Sequence, residues 1–221
     1  MNATTSFSSS LHQSRNALTA CIIFFIAFTL FSFFRTNFHS IDVTVNLWMI
    51  TLHTEVAIVM AKILSVAFDT IVLTIMSLII AGFLFIKNRK TQSILFLTGV
   101  GGTALFVAII KTFTQVARPE NQLLSGSGFS YPSGHSAGAI IFIGLITYLI
   151  WLNYNHNQHA KILSSMIFGL IVTIISFDRI YLNVHWLSDV VGGCLFGAFC
   201  LSFCIFIYKQ LILTGKIKST N

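Results

Sequence analysis

Charge and proline are what this sequence has least of. Only 9% of its 221 residues are charged, against about 25% in a soluble domain. So few charges cannot cover a water-facing surface, which excludes an ordinary soluble protein and leaves lipid as the main solvent. Only 2 prolines interrupt the chain, so its long apolar runs suit helices rather than a barrel of short alternating strands. The net charge of +7 comes from 13 Lys and Arg scattered between those runs. Nucleic acid would need a dense exposed basic patch and is not expected as a partner. Cysteine is sparse too: Cys21, Cys194, Cys200 and Cys204 all sit in apolar segments without metal-ligand spacing. They read as small apolar side chains, not disulfides or ligands.

What is present is hydrophobic: 55% of residues, among them 22 Phe, at a mean hydropathy of +0.85. A spanning helix needs about 20 mostly apolar residues. Segments near that length run over Ala17–Phe34, Thr70–Ile86, Ser93–Phe113, Ala137–Leu152, Ile162–Phe177 and Leu187–Tyr208. The expected fold is all-α, an integral membrane protein with six transmembrane helices. Between the first two spans, Asp42–His53 and Thr54–Phe68 mix apolar residues with Asp42, His53, Glu55 and Lys62. Val56, Val59, Met60, Ile63 and Leu64 recur at helical spacing, which predicts an interfacial amphipathic helix; the alternative is a tilted extension of the second span. No repeat or low-complexity linker divides the chain. One domain is expected over 17–208, with a polar tail at 1–16 and another at 209–221. No clear small-residue cleavage site follows the first apolar run, so it reads as a retained anchor.

The basic residues set an expected topology. With the N-terminus in the cytoplasm and six crossings, Arg15, Lys87, Arg89, Lys90, Lys161, Lys209, Lys216 and Lys218 lie inside. Arg35, Lys62, Lys111, Arg118 and Arg179 lie outside, with all six acidic residues. The outward cations run against the positive-inside tendency, and Lys111, Arg118 and Arg179 call for a reason.

Those three fall in KTFTQVARP (Lys111–Pro119) and DRIYLNVHWLSDV (Asp178–Val190), with YPSGHS (Tyr131–Ser136) between them. Alone, each piece has a plain reading. Lys111 and Arg118 can be snorkelling anchors. His135 can belong to a helix cap. His185 and Asp189, four apart, can share a structural hydrogen bond, and Tyr181 and Trp186 can be interface-belt aromatics. Together, at one end of four spans, they meet the needs of phosphoryl transfer. Three cations can hold the equatorial oxygens of a phosphate. Ser133 and the amides of Gly134 and His135 open a helix, where free N–H groups form an anion site. Asp189 can fix the tautomer of His185 and leave its other nitrogen free to attack. His135 has no acid at matching spacing and suits the general acid, then base.

The set Lys111-x6-Arg118-Pro119, Pro132-Ser133-Gly134-His135 and Arg179-x5-His185-x3-Asp189 resembles the three signature motifs of the type 2 phosphatidic acid phosphatase (PAP2) superfamily, in family order. The resemblance implies a membrane lipid phosphatase with a phosphohistidine intermediate on His185, no metal or other cofactor, and an outward-facing site. It also implies a lipid phosphate or diphosphate substrate: phosphatidylglycerophosphate, phosphatidate or undecaprenyl diphosphate. In one place the chain departs, with Asp178 where the family usually has Ser before the last Arg. That carboxylate would repel phosphate unless it pairs with Arg179 or faces away.

Two other functions compete with this one. A transporter or channel for an anionic solute would tend to hold it near the midplane on broken helices, whereas these charges sit at span ends. A catalytically inactive relative would not need the complete His–His–Asp set. A lipid would reach the site laterally from the bilayer, past Phe113, Phe129, Tyr131 and Trp186. Short loops suggest a bacterial enzyme of envelope lipid metabolism in the plasma membrane.

Overall fold

The computed structural model describes residues 3–154 and 157–217, with side chains from residue 11 on; Lys218 and the end of the second tail lie outside the described residues. Among the described residues there are eight α-helices and no strand: α1 (Ala3–Phe34), α2 (His39–Thr51), α3 (Glu55–Ala67), α4 (Thr70–Ile86), α5 (Lys90–Thr114), α6 (Gly134–Asn153), α7 (Gln158–Tyr181) and α8 (Leu187–Leu213). A single 3-10 turn, Arg35–Phe38, joins α1 to α2. The stretch containing α1 and helices α5, α6, α7 and α8 are each long and apolar enough to cross a membrane. Helices α3 and α4, bent by 44° at their junction, can make a sixth span.

Local chemistry sets the boundaries. Asp69 caps α4 by accepting the Ile71 N–H at 2.9 Å, and Asn157 caps α7 through the Ala160 N–H at 3.0 Å; both satisfy amides that a first turn leaves without partners. Helix α5 ends where Gln115 turns left-handed. Helix α1 begins inside the stretch 1–16 that composition alone sets aside as polar tail.

The apolar pattern shows which solvent surrounds the bundle. On α4, Leu73, Ser77, Ala81 and Leu84 face inward, yet the opposite face carries exposed Ile71, Leu78, Ile79 and Ile86. A helix apolar all round, buried on one side only, has hydrocarbon on the other. Helix α6 is the axis of the bundle and packs against α4, α5, α7 and α8, while α1 lies along α8. Phe96, Ala137, Ile141, Phe142 and Leu145 form the centre of the core.

The segment between the first two spans divides into two helices. Helix α2 turns Asp42, Asn46 and Met49 inward, and Asp42 accepts both the backbone N–H and the hydroxyl of Ser188, at 2.8 and 2.6 Å. Helix α3 exposes Val56, Val59, Met60 and Ile63 and runs into α4 through the bend at Phe68–Asp69. Because neighbouring spans alternate in direction, the end of α5, the start of α6, the end of α7 and the start of α8 meet at one end of the bundle. The three motifs therefore share one depth. Arg89 donates to Asn153 at 2.6 Å at the opposite end.

Close approach of α8 to the start of α6 depends on glycine. A Cβ on Gly193 would lie 2.5 Å from the Ser133 carbonyl oxygen, whereas one on Gly101 would meet nothing within 4 Å. Gly193→Ala is expected to cost about 1–3 kcal/mol through overpacking against rigid backbone and to lower the thermal midpoint of the detergent-solubilised protein. Gly101→Ala is expected to leave that midpoint unchanged or slightly raised. Equal midpoints for the two variants would remove the packing argument.

Candidate active site

Lys111 lies in the last turn of α5. Its ammonium donates to the carbonyls of Phe129 and Ser130, at 2.5 and 2.9 Å, which ties the 115–133 loop to the helix that precedes it. Arg118 extends this binding across two loops. It donates to the carbonyls of Gly128 (3.1 Å), Ser127 (3.2 Å) and Val184 (2.7 Å), joining the α5–α6 loop to the α7–α8 loop. Gly126 leaves the guanidinium its path, since a Cβ there would sit 2.7 Å from Cζ.

His185 lies between these loops and is 4% exposed. Its Nδ1 is 3.4 Å from Asp189 Oδ2 and 3.2 Å from the Ser130 hydroxyl. Ser130 also donates a short hydrogen bond to Asp189 Oδ2. On the other side of the ring, Nε2 is 3.4 Å from Arg118 Nη1. A carboxylate at Nδ1 favours the tautomer with hydrogen there and a free lone pair on Nε2. Asp189 has no exposed surface. It also accepts the Trp186 N–H at 2.9 Å, and its backbone carbonyl takes the Ser133 N–H at 2.9 Å. That last bond couples the second motif to the third.

Ser133 caps α6. Its oxygen receives the Ser136 N–H at 3.4 Å and the Ser136 hydroxyl at 3.1 Å, and its own hydroxyl proton is not used by either bond. The cap turns the first amides, those of Gly134 and His135, to the motif end, where a first turn has no acceptor of its own. The His135 ring lies within electrostatic reach of Arg179, His185 and Arg118. Arg179, 3% exposed, pairs with Asp178 through a short contact, so the departure from the family pattern is met by pairing within the motif. Arg179 Nε and Asp178 Oδ1 are buried without hydrogen-bond partners. The eight predicted residues therefore gather at one place: Lys111, Arg118, Ser133, Gly134, His135, Arg179, His185 and Asp189.

Other residues at the site had little signal in the sequence. Ser130 precedes the second motif, and only its contact with His185 and Asp189 gives it significance. Arg35 Nε lies 3.8 Å from Asp189 Oδ1, with its guanidinium carbon 5.2 Å over the Tyr131 ring. The one hint was a cation on the side where cations are disfavoured. His135 has a nearby acid after all: Asp69 Oδ2 is 4.0 Å from its Nε2, brought there from the α3–α4 junction. Tyr131 cannot border a lipid entrance, because it is 1% exposed and its hydroxyl is bonded to Ser32 at 2.6 Å. Tyr181 is buried and donates to the Leu52 carbonyl at 3.2 Å, so it supports the loop rather than an interface belt. Trp186 donates to the Ala117 carbonyl at 2.8 Å. Among the described residues no group of three His, Cys, Asp or Glu is spaced to hold a metal ion.

The PAP2 superfamily model matches residues 92–212, more than half of the chain. The chain belongs to the PAP2 superfamily. Phosphatidylglycerophosphatase B of Bacillus subtilis (strain 168) is 31% identical to it over 116 residues, 52% of this chain and 57% of that protein. Undecaprenyl-diphosphatase of Sulfolobus acidocaldarius is 34% identical over 95 residues, 41% of this chain and 37% of that protein. The chain thus spans about half the length of the curated relatives it matches. The crystal structure of a transmembrane PAP2 type phosphatidylglycerolphosphate phosphatase from Bacillus subtilis matches with a TM-score of 0.76. That match covers 91% of this chain and 98% of the other at 24% identity, which establishes the shared PAP2 membrane fold.

Burial pushes the His185 imidazole down to about 4; the Asp189 carboxylate opposes the shift, and the Arg118 and Lys111 charges add to it. The folded value lies below the 6.5 of an unperturbed ring. Neutral His185 therefore supports the fold fully above about pH 6.5, and this support is lost as the pH falls towards 4. The thermal midpoint is expected to drop over that interval, and more steeply in the native protein than in His185→Gln. Parallel pH profiles for the two proteins would contradict a buried neutral ring.

Proposed function

We propose that this PAP2 protein is a metal-independent lipid phosphate phosphatase working through a phosphohistidine. The observation that carries the reading is the His185 ring, with Nδ1 against Asp189 and Nε2 facing the Arg118 guanidinium. An imidazole whose free lone pair faces a cation is placed to attack an anion bound by that cation. Lys111, Arg118 and Arg179 hold the phosphate oxygens, with the Gly134 and His135 amides and the Ser133 hydroxyl as further donors. Phosphate displaces the Asp178 carboxylate from part of the Arg179 guanidinium.

The chemistry takes two steps. His185 Nε2 forms a P–N bond as the P–O bond to the lipid breaks, and His135 gives a proton to the departing oxygen. Water then attacks phosphorus and passes a proton to His135. The P–N bond breaks, its electron pair returns to Nε2, and orthophosphate leaves.

A cavity of about 210 Å³ between α4, α5 and α6 supports lateral access for the lipid. It runs from Lys111 and Gly134 past Val107, Ala104 and Val100. From residue 111 to residue 100 a helix rises about 16 Å, enough for much of an acyl or prenyl chain. We assign the site to the outer membrane face, with both tails cytoplasmic and 17–208 as the phosphatase unit. The membrane is a bacterial plasma membrane. Phosphatidylglycerophosphate or a related phosphatidate is the favoured substrate, followed by undecaprenyl diphosphate, in keeping with what the two curated relatives are named for.

Purified protein is expected to release phosphate from at least one of phosphatidylglycerophosphate, phosphatidate, undecaprenyl diphosphate and diacylglycerol diphosphate with a chelator present. His185→Ala is expected to lose this activity by at least about 1,000-fold while still inserting and folding. Activity abolished by the chelator would remove the metal-free mechanism, and no release from any substrate would remove the phosphatase reading. Ala104→Phe narrows the cavity and is expected to raise KM for a long-chain lipid phosphate while sparing a short-chain one. Equal effects on both chain lengths would move the lipid path elsewhere.

A further inference from the structure

A general acid surrounded by cations needs something to keep its proton. From α7 the His135 ring is faced by Arg179, and from the two loops by Arg118 and His185. From α3 it is faced by the Ser65 backbone. Nε2 is buried without a hydrogen-bond partner, which leaves it for the reacting oxygen. Among the described residues one carboxylate lies within 4.0 Å of it: Asp69 Oδ2, at 4.0 Å from Nε2.

Asp69 is held where this matters. Its Oδ1 accepts the Ile71 N–H at 2.9 Å as the cap of α4, which leaves Oδ2 directed at His135. The α3–α4 bend carries the carboxylate to the motif end, and the next residue, Thr70, lines the cavity that reaches Gly134 and Lys111. The side chain is 45% exposed, against 17% for His135, so the carboxylate approaches the enclosed imidazole from the rim of the site.

We infer that Asp69 is a positioning carboxylate for the general acid: from 4.0 Å its charge favours the protonated His135 ring, and the unbonded Nε2–H is directed to the leaving lipid oxygen. This deepens the phosphatase reading and rests on it. Asp69 itself transfers no proton. The His135 Nε2–H bond breaks as the leaving oxygen takes the proton, and the proton returns to Nε2 from the water that attacks the phosphohistidine. His185 and His135 thus each have a carboxylate, one supplied by the neighbouring turn of α8 and the other from a different span.

The test is dependence on the leaving group. A phosphatidate releases a poor alkoxide and needs the proton, whereas p-nitrophenyl phosphate releases a phenolate that departs without one. Asp69→Asn keeps an oxygen to cap α4, so the helix start survives. It is expected to lower kcat on a short-chain phosphatidate by about 10-fold or more, with KM near the native value. On p-nitrophenyl phosphate, the rate of the initial phenolate burst, which reads formation of the phosphohistidine alone, is expected to stay within about 2-fold, because no general acid is required in that step. Asp69→Glu should recover much of the loss, and His135→Ala should lose turnover of phosphatidate while keeping the phenolate burst. Equal losses on both substrates, or no loss on phosphatidate, would overturn the inference while leaving the phosphatase reading intact. A native protein inactive on both substrates and on the lipid panel would instead remove that reading, and this inference with it.

Discussion

A carboxylate with no exposed surface has to be surrounded by donors, and in this protein the surroundings of Asp189 are the site. Burying such a charge is costly unless hydrogen bonds and opposite charges offset it. Asp189 is served by the Trp186 amide, the Ser130 hydroxyl and the His185 ring, with Arg35 Nε at 3.8 Å. Its backbone carbonyl holds Ser133. These partners come from the α1–α2 turn, the α5–α6 loop and the α7–α8 loop. The hydrogen bonds all go to Oδ2, and Oδ1, without a hydrogen-bond partner, faces the Arg35 charge. One buried acid therefore draws together the ends of helices that are far apart in sequence. The same contacts fix the tautomer and orientation of His185.

The cations follow the same physical logic. Lys111 and Arg118 use their donors on loop carbonyls, and Arg179 is balanced by Asp178. Each has a partner without a ligand, although Arg179 Nε is left without a hydrogen bond, and all three remain near His185 or His135. Such a site is organised before its anion arrives, so little reorganisation is needed on binding. In the proposed mechanism, Asp178 adds an internal competitor for Arg179 that a serine would not provide, and phosphate has to displace it.

The bilayer decides which surfaces remain free. Exposed isoleucines and phenylalanines on α4, α5 and α7 are matched by hydrocarbon, so the polar chemistry is confined to the ends of spans and to the cavity mouth at Lys111 and Gly134. The bend between α3 and α4 brings Asp69 to the second histidine. In the proposed mechanism, substrate access and the environment of the general acid both depend on this one bend.

The sequence by itself determined the spans and the chemistry of the motifs. Apolar length and helical period are local properties, and His185 and Asp189 share a face because they lie one turn apart. Motif order, together with the alternating direction of spans, was enough to bring Lys111, Arg118, His135 and Arg179 to the same end. Only the tertiary structure decided which residues support them. Asp42 meets Ser188 across 146 positions, Arg35 reaches Asp189 from the first turn, and Asp69 reaches His135 from the broken span. Ser130 gains its place only when the loop folds over His185. Contacts of this kind leave no periodic trace in a chain, because they depend on the angle of a bend and on the distance between packed helices rather than on spacing along one element.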